Sequence, residues 1–293
     1  MDNNFVFSLI MATYGREVEV DEFLNSIKES DYNYKRVQII IVDQNDVIDL
    51  GSIVRKYDGF LNITHIKSQY KGLSLNRNIG LKIAKGKYIG FPDDDCRYLK
   101  NTLKDIELGF SEFDNVGLIL GRIVDENNED SIRKWPKEKM QINKMNFFTK
   151  YSSVTMFYKK EELEDKQFNV SLGAGNKYGS CEDTDLVYRY LKKQNAIYTP
   201  AIRIFHPNQT QENTTSKKIF QYGLGFGAFC RMNFDAFIVI LMIEVIGYHF
   251  IKLLRALITF NTVNVSKSFL SIKSRLQGFF EYKDKNVGDL SND

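Results

Sequence analysis

The sequence predicts an α/β fold in which a mostly parallel sheet is flanked by helices. Over the first 125 residues, continuous apolar runs such as 37–42 alternate with segments whose apolar residues recur at helical spacing. Uninterrupted apolar strands separated by helices indicate a parallel sheet that is covered on both faces. Two of these runs end in acidic residues, and ligands of open α/β sheets bind at the carboxyl ends of strands.

Local patterns set the order of the elements. The predicted elements are a strand at 5–11, a helix after Gly15, strands at 37–42 and 63–66, a helix at about 74–85, strands at 87–91 and 153–158, and a helix that begins near 181. This order is Rossmann-like. It predicts one α/β domain over residues 1–210, divided near residue 125, and a helical extension over 211–293.

Composition excludes several classes of protein. Hydrophobic residues make up 43% of the 293 residues and charged residues 26%, which is typical of globular chains and excludes disorder as the main state. The net charge of +3 gives no electrostatic reason to expect nucleic-acid binding. Three cysteines without regular spacing fit a reducing compartment, and the first residues lack a secretory pattern. We therefore expect a cytoplasmic location.

An acidic cluster follows one of the predicted strands. Asp93, Asp94 and Asp95 come directly after Pro92, which stops the strand. Three adjacent carboxylates repel one another unless a cation lies among them. Oxygen ligands suit Mg²⁺ or Mn²⁺, with a diphosphate as a further ligand. A solvated acidic turn that caps the next helix is the alternative.

The sequence resembles the family 2 glycosyltransferases, which have the GT-A fold. The resemblance rests on stretches in the expected order, namely Met11-Ala12-Thr13-Tyr14-Gly15-Arg16, Val42-Asp43, Gly72-Leu73-Ser74 with Asn78-Ile79-Gly80, Asp93-Asp94-Asp95, and Glu182-Asp183-Thr184-Asp185-Leu186. Together they cover most of residues 5–210. Each stretch is modest alone, but the ordered set is specific.

The resemblance implies that residues 1–125 bind a nucleotide sugar. Thr13 and Asp43 correspond to the pair that contacts the base, and Asp93 to the residue that approaches the ribose. Asp95 corresponds to the metal ligand of the DxD motif, for Mn²⁺ or Mg²⁺. The remaining residues of the expected donor site are Tyr14, Arg16, Arg77 and Asp94. Asp43 also has a plainer interpretation, as a cap of the turn after its strand.

Residues 126–210 are then expected to form the acceptor half. Asp183 is the predicted catalytic base, with Glu182 as a second base or an acceptor contact; N-terminal helix capping is the alternative for both. His206 is similar to a third metal ligand of related enzymes, or is a plain loop histidine. Trp135 is an expected acceptor contact by stacking, or else a buried loop anchor.

The apolar stretch 234–260 predicts an amphipathic helix. Glu244, Tyr248, Lys252 and Arg255 share one face, and the rest of the circumference is apolar. Such a helix could lie in a membrane interface, or cap the core, or form a dimer contact. The Gly223-Leu224-Gly225-Phe226-Gly227 stretch lacks the spacing of a dinucleotide-binding turn, and we reject that interpretation.

These expectations combine into one functional hypothesis. The chain is expected to be an inverting, metal-assisted glycosyltransferase of the hexosyltransferase type, which moves a sugar from a UDP-sugar donor to a glycan or lipid-linked glycan in cell-surface polysaccharide synthesis. Its expected place is the cytoplasmic side of the cell membrane, with a homo-oligomer left open. The alternatives are a sugar-phosphate nucleotidyltransferase, whose Gly-rich loop 12–16 matches poorly, and a non-catalytic glycan-binding protein.

Overall fold

The structure is a computed structural model that describes residues 5–207 and 215–283. The described residues form two compact units. The first contains the residues up to Phe168 together with those from Leu186 to Pro207, and the second contains Asn169–Asp185 and the residues from 215 onward. The predicted domain boundary at residue 210 lies outside the described residues. Segment 169–185, which the sequence placed with the first domain, belongs to the second unit.

One sheet forms the centre of the first unit. Among the described residues its strands are β1 (Phe7–Thr13), β2 (Val37–Asp43), β3 (Asn62–Lys67), β4 (Tyr88–Gly90), β5 (Arg97–Tyr98), β6 (Leu118–Val124), β7 (Met140–Ile142), β8 (Met156–Lys159) and β9 (Ala196–Phe205). The order across the sheet is β3-β2-β1-β4-β8-β6-β9-β5, and β7 pairs with β9. The predicted α/β class is confirmed.

The sequence predicted the parallel part of the sheet more fully than the rest. The pairs β3–β2, β2–β1 and β1–β4 are parallel, and every residue of β1 and β2 is buried. The second half is mixed, because β8 runs antiparallel to both of its neighbours while β6 and β9 are parallel. β7 and β5 are antiparallel to β9. β5 and β7, of two and three residues, are too short to show a period, so the sequence did not predict them.

Helices cover the sheet and build the second unit. They are α1 (Val18–Lys28), α2 (Gly51–Arg55), α3 (Leu73–Leu81), α4 (Thr102–Glu112), α5 (Glu182–Leu191), α6 (Ser216–Met232), α7 (Ala236–Ile258) and α8 (Thr262–Glu281). α3 packs closely on β1 and β2, since a Cβ at Gly80 would lie 2.4 Å from Cγ2 of Ile10. This close approach explains why small residues line that face of the helix.

The glycines at 223, 225 and 227 lie inside α6, in the second unit. A Cβ at Gly223 would lie 1.8 Å from Oγ of Ser274, and one at Gly227 would lie 2.1 Å from the carbonyl oxygen of Arg275. Both contact atoms belong to α8. These glycines let two helices approach each other, which agrees with the rejection of a dinucleotide turn.

α7 is long and apolar enough to cross a membrane by length and composition. Its mean hydropathy is 2.1 over the most apolar window, and only 6% of that window is buried. Ile243, Ile251 and Ile258 are each more than half exposed. The polar residues that the sequence placed on one face, Glu244, Tyr248, Lys252 and Arg255, are also exposed. The helix therefore presents both polar and apolar side chains to its surroundings.

Candidate functional site

The parallel strands bring their carboxyl ends to one edge of the sheet. Thr13, Asp43 and Lys67 are the last residues of β1, β2 and β3, and they pair in register, Thr13 with Asp43 and Asp43 with Lys67. The acidic turn follows β4, which is the other parallel neighbour of β1. The predicted donor-site residues therefore meet at this edge because parallel strands end together.

The acidic turn is tied to the end of β1. Oγ1 of Thr13 donates to Oδ2 of Asp94 over 2.8 Å. The Arg16 guanidinium, in the turn before α1, lies 3.3 Å from Oδ2 of Asp95 and 3.9 Å from Oδ1 of Asp94. One neutral donor and one cation thus hold two of the three carboxylates.

Asp93, Asp95 and His206 form a possible metal site. Each offers one ligand atom, and these atoms lie within 4.8 Å of one another. His206 reaches this position because the end of β9 pairs with β5, which follows the acidic turn, so that Phe205 lies opposite Arg97. The backbone N–H of His206 also donates to the carbonyl of Val124, at the end of β6, over 3.2 Å. Two carboxylates and one imidazole, partly exposed, suit a divalent cation such as Mn²⁺ or Mg²⁺. Asp93, which the family resemblance assigned to the ribose, joins this set.

The pKa values of Asp94, Asp95 and His206 are shifted by burial and by the neighbouring charged groups. Burial, together with the charges of Asp93 and Asp95, raises the pKa of Asp94 to about 6, although the Thr13 hydroxyl acts in the other direction. The hydrogen bond from His206 holds the pKa of Asp95 below its usual value. Burial alone would lower the pKa of His206, but the hydrogen bond and charge of Asp95 outweigh it, so this pKa is raised. The imidazole and the carboxylate each favour the charged form of the other.

Arg77 lies beneath the acidic turn and has no exposed surface. Its guanidinium donates to Oδ1 of Asp93 over 2.7 Å. The rings of Phe168 and Phe91 lie 5.4 and 6.0 Å from its central carbon. Arg77 was expected beside the nucleotide, whereas here its side chain is fully buried and is bonded to Asp93 of the site.

Asp43 is almost fully buried, with 1% of its side chain exposed. Its Oδ1 accepts from the backbone and the side-chain amide of Asn45, each over 2.8 Å. Its Oδ2 lies 3.1 Å from both His65 Nε2 and Lys67 Nζ. A carboxylate has about four acceptor positions, so these partners occupy all of them. Burial would raise the pKa of Asp43, but these hydrogen bonds lower it.

Asn45, His65 and Lys67 are site residues that the sequence reasoning did not name. Asn45 Oδ1 also accepts from the backbone of Gly15 over 2.6 Å, and Gly15 has a φ of +76°, which suits glycine. This bond joins the turns after β1 and β2. The available signal was position, since Asn45 follows Asp43 by two residues and His65 and Lys67 alternate on the neighbouring strand.

Tyr14 is the most exposed of the predicted donor-site residues, at 61%. The ammonium of Lys71 lies 4.9 Å from the centre of its ring, and the same ammonium donates to Asp46 over 2.7 Å. Tyr14 therefore offers an open aromatic face at the rim of the edge where the parallel strands end.

The second unit contains the predicted catalytic carboxylates. Glu182 and Asp183 lie in the first turn of α5, directly after Cys181, whose φ is +68°. Asp183 Oδ1 accepts from the backbone of Thr184 over 2.7 Å. Asp185, in the same turn, accepts from the side-chain amide of Asn233 over 2.7 Å. Acidic residues in a first turn stabilise the helix, so the capping interpretation has structural support.

Trp135 requires a correction. Only 3% of the residue is exposed, its Nε1 donates to the carbonyl of Ser131 over 3.0 Å, and its ring stacks on Tyr198. A sugar acceptor needs an open aromatic face, which this ring does not present. Trp135 is instead a buried anchor of its loop, the alternative that the sequence analysis left open.

Comparison with known proteins gives a consistent family. Residues 8–169 match the family model described as Glycosyl transferase family 2. Poly(ribitol-phosphate) beta-N-acetylglucosaminyltransferase TarS of Staphylococcus aureus (strain Mu50 / ATCC 700699) is 34% identical over 101 residues, which is 34% of this chain and 18% of that protein. The GalNAc(5)-diNAcBac-PP-undecaprenol beta-1,3-glucosyltransferase of Campylobacter jejuni is 27% identical over 230 residues, covering 75% of this chain and 71% of that one.

The fold has close counterparts among solved structures. The crystal structure of S. aureus TarS 1-349 superposes with a TM-score of 0.62 at 19% identity, over 96% of this chain and 94% of that one. The expected GT-A fold is thereby confirmed. The matched stretch spans only 18% of the length of full TarS, so the activity of that protein is not carried over directly.

Proposed function

The chain belongs to glycosyl transferase family 2, and from this membership we propose that it moves a sugar from a UDP-sugar to a glycan or lipid-linked glycan, with inversion at the anomeric carbon. The observation that carries the proposal is the cluster of Asp93, Asp95 and His206 beside the ends of parallel strands. Family membership and this cluster together favour transfer of a glycosyl group over other chemistry at such an edge.

The donor diphosphate is the group that the cluster suits. A divalent cation held by Asp93, Asp95 and His206 would offset the charge that develops on the departing diphosphate. Arg77 fixes Asp93 from below and Arg16 contacts Asp95, so both carboxylates keep their orientation before a donor arrives. Asp94 has the positioning role, because it holds Thr13 at the end of β1.

The base of the donor is proposed to bind over Thr13, Asp43 and Tyr14. Lys67 is about half exposed, so its ammonium is the Asp43 partner that can move aside. The imide N–H of a uracil could then take the acceptor position that Lys67 leaves on Oδ2. The S. aureus TarS domain that shares this fold has been crystallised with UDP-GlcNAc, which supports a UDP-linked donor.

Asp183 is proposed as the base that accepts the proton of the attacking hydroxyl. An inverting transfer needs one carboxylate on the acceptor side, and Asp183 lies in the Glu182-Asp183-Thr184-Asp185-Leu186 stretch that resembles the family's motif, beyond the residues that the family model matches. The names of both curated relatives specify β-linked products. A β product from an α-linked nucleotide sugar requires inversion, which supports a single displacement by a base-activated hydroxyl.

The decisive experiment measures the release of UDP. The protein is incubated with UDP-GlcNAc or UDP-glucose and Mn²⁺, and Asp95→Ala is compared with Asp58→Ala, which changes an exposed carboxylate after α2. We expect Asp95→Ala to lose turnover and Asp58→Ala to keep it. Release of pyrophosphate from a nucleoside triphosphate would instead identify a nucleotidyltransferase. Nucleotide-sugar binding without turnover, over a panel of acceptors, would identify a binding protein.

The names of these two relatives specify a poly(ribitol-phosphate) and an undecaprenol-linked glycan as acceptors, which supports a role in cell-surface polysaccharide or teichoic acid synthesis. We further propose that α7 binds the membrane interface on the cytoplasmic side, because its apolar residues are exposed beside Lys252 and Arg255. Flotation with anionic phospholipid vesicles tests this point. Ile243→Ser with Ile251→Ser should abolish flotation, whereas Val18→Ser with Val47→Ser, which removes two exposed apolar side chains from the first unit, should not.

A further inference from the structure

Two side chains of β3 contact the buried carboxylate of Asp43. The register of β2 and β3 pairs Asp43 with Lys67 and Ile41 with His65. Alternate residues of a strand lie on the same face, so His65 and Lys67 approach Asp43 from one side. Oδ2 of Asp43 lies 3.1 Å from Nε2 of His65 and 3.1 Å from Nζ of Lys67. The family resemblance assigns a role to Asp43 but to neither of these two partners.

The charge states of these groups set their hydrogen-bonding roles. Burial would raise the pKa of Asp43, but its hydrogen bonds lower it, so at neutral pH Asp43 is a carboxylate and only accepts. The ammonium of Lys67 only donates, and the His65 nitrogen that faces Oδ2 carries a hydrogen when it makes this contact. Oδ2 therefore accepts one hydrogen bond from each residue, and these two bonds fill its acceptor positions.

The carboxylate is held more firmly than the ammonium. Oδ1 of Asp43 accepts two bonds from Asn45, and Asn45 in turn accepts from the backbone of Gly15, so the carboxylate is fixed. His65 is the less exposed of the two partners, whereas the side chain of Lys67 is about half exposed. Lys67 is therefore the partner that can leave Oδ2, and its long, flexible stem keeps the ammonium close to a base that binds there.

The edge of a uracil base complements this carboxylate and ammonium. In uracil, N3–H donates a hydrogen bond and the adjacent O4 accepts one, whereas in cytosine N3 accepts and the amino group at position 4 donates. With cytosine, N3 would face the carboxylate and the amino group would face the ammonium, so neither bond would form. A site that pairs its polar groups with one base in this way rejects the other, because its own groups are left unpaired.

We propose that Lys67 selects uracil over cytosine in the nucleotide sugar, by moving its hydrogen bond from Oδ2 of Asp43 to O4 of the base. The N3–H of uracil takes the acceptor position that Lys67 leaves, and His65 keeps the other position, so Oδ2 remains fully bonded. This inference rests on the proposed function, because it names the residue that determines base specificity at the same site.

Isothermal titration calorimetry with UDP and with CDP, both in the presence of Mn²⁺, tests this assignment. Lys67→Met removes the ammonium and keeps most of the length of the side chain. We expect this variant to bind UDP about tenfold or more weakly than the wild type and CDP no more weakly, so that its preference for UDP falls. Lys56→Met is the matched control, because Lys56 is similarly exposed and lies 3.2 Å from Asp21 of α1. It should keep the preference of the wild type.

A second measurement tests the bond to O4 itself. In 4-thio-UDP a sulfur atom, which accepts hydrogen bonds weakly, replaces O4, so the wild type should bind this nucleotide several-fold more weakly than UDP. Lys67→Met should bind the two nucleotides alike. Lys67→Arg keeps a cationic donor, and it should retain both this difference and the preference for UDP over CDP.

Equal ratios of UDP to CDP affinity in Lys67→Met and the wild type would overturn the inference, even if the wild type turns over a UDP-sugar. Equal binding of UDP and CDP by the wild type, or binding of neither, would overturn it too. The comparison of UDP with 4-thio-UDP needs no variant, and equal affinities of the wild type for the two contradict the bond to O4. If Lys67→Met loses the preference but the wild type turns over no nucleotide sugar, the inference holds and the proposed function fails.

Discussion

His206 Nε2 lies 3.2 Å from Oδ1 of Asp95, which joins the end of β9 to the turn after β4. Each group shifts the pKa of the other toward its charged form, so without a metal the contact favours a hydrogen-bonded ion pair. A divalent cation would replace the proton that the imidazole carries. The same geometry therefore serves two states of the site, and the exchange between them can be measured.

Replacing His206 should weaken metal binding. His206→Ala removes one of three candidate ligands, and we expect Mn²⁺ to bind at least about 10-fold more weakly in the presence of UDP. Isothermal titration calorimetry gives the affinity. His249→Ala, which changes a histidine of α7 in the second unit, is the matched control and should match the wild type. Equal Mn²⁺ affinities for all three proteins would remove His206 from the metal site.

The affinity for Mn²⁺ should fall as the pH is lowered through the raised pKa of His206. A metal binds the neutral imidazole, so a proton competes with it below that pKa, and the affinity loses up to about tenfold per pH unit. Titrations between pH 8 and pH 5.5 should show this slope in the wild type. In His206→Ala the slope over the same range should be clearly smaller, and an unchanged slope would assign the pH dependence to another group.

Asp94→Asn should stabilise the metal-free protein at neutral pH. The pKa of Asp94 is raised to about 6 from about 3.9 in an unfolded chain, so ionisation costs stability as the pH rises from about 4 to 6. An asparagine can still accept from Thr13 and has no charge to bury. The variant should gain about 3 kcal/mol at most at pH 7, and the gain should vanish near pH 4.

Urea unfolding in the presence of EDTA measures this effect. Asp93→Asn provides the contrast, because it removes the charge of a carboxylate that pairs with the buried Arg77 and should lower the free energy of unfolding. If Asp94→Asn is less stable than the wild type at pH 7, the contacts of the ionised Asp94 stabilise the folded state by more than the burial of its charge costs.

Asp43→Asn should destabilise the protein most at neutral pH. The pKa of Asp43 is lowered in the folded state, so its carboxylate contributes stability above about pH 4, and this contribution is lost as the pH falls through the folded value. We expect a loss of about 1–3 kcal/mol at pH 7, since two of its partners are partly exposed, and a smaller difference at pH 3. Denaturant unfolding across this range tests the trend. Asp46→Asn, an exposed pair with Lys71, should cost about 0.5 kcal/mol or less.

We expect Trp135 to anchor its loop and not to contact the acceptor. Trp135→Phe keeps an aromatic ring but loses part of the ring volume and the bond to Ser131, so we expect a loss of about 1–3 kcal/mol in stability with KM for acceptor unchanged. Because Trp135 is the only tryptophan, its fluorescence can be read without interference. Acrylamide should quench it weakly, and equally with and without acceptor. Protection by a saturating acceptor would restore the stacking interpretation.

The sequence by itself determined the local features of this protein. The buried β-branched run that becomes β2 and the strand stop at Pro92 identified the strands and placed acidic residues at their ends. Helical periodicity located α1 and α7, and the order of the motifs indicated the family. Such signals suffice because burial on both faces and the period of a helix leave their mark within about ten residues.

Tertiary structure alone decided which of those residues meet and which are accessible. The pairing of β9 with β5, which follows the acidic turn, brings His206 to Asp95, whereas the sequence left His206 open between ligand and loop residue. Trp135 is buried and anchors its loop, and Arg77 is buried beneath Asp93. Residue spacing determines neither the exposure of a side chain nor the register of a strand, because both depend on which distant segment packs against it. The sequence therefore predicted which kinds of residue lie at the ends of the parallel strands. Only the fold showed that Asp93, Asp95 and His206 form one set of possible metal ligands.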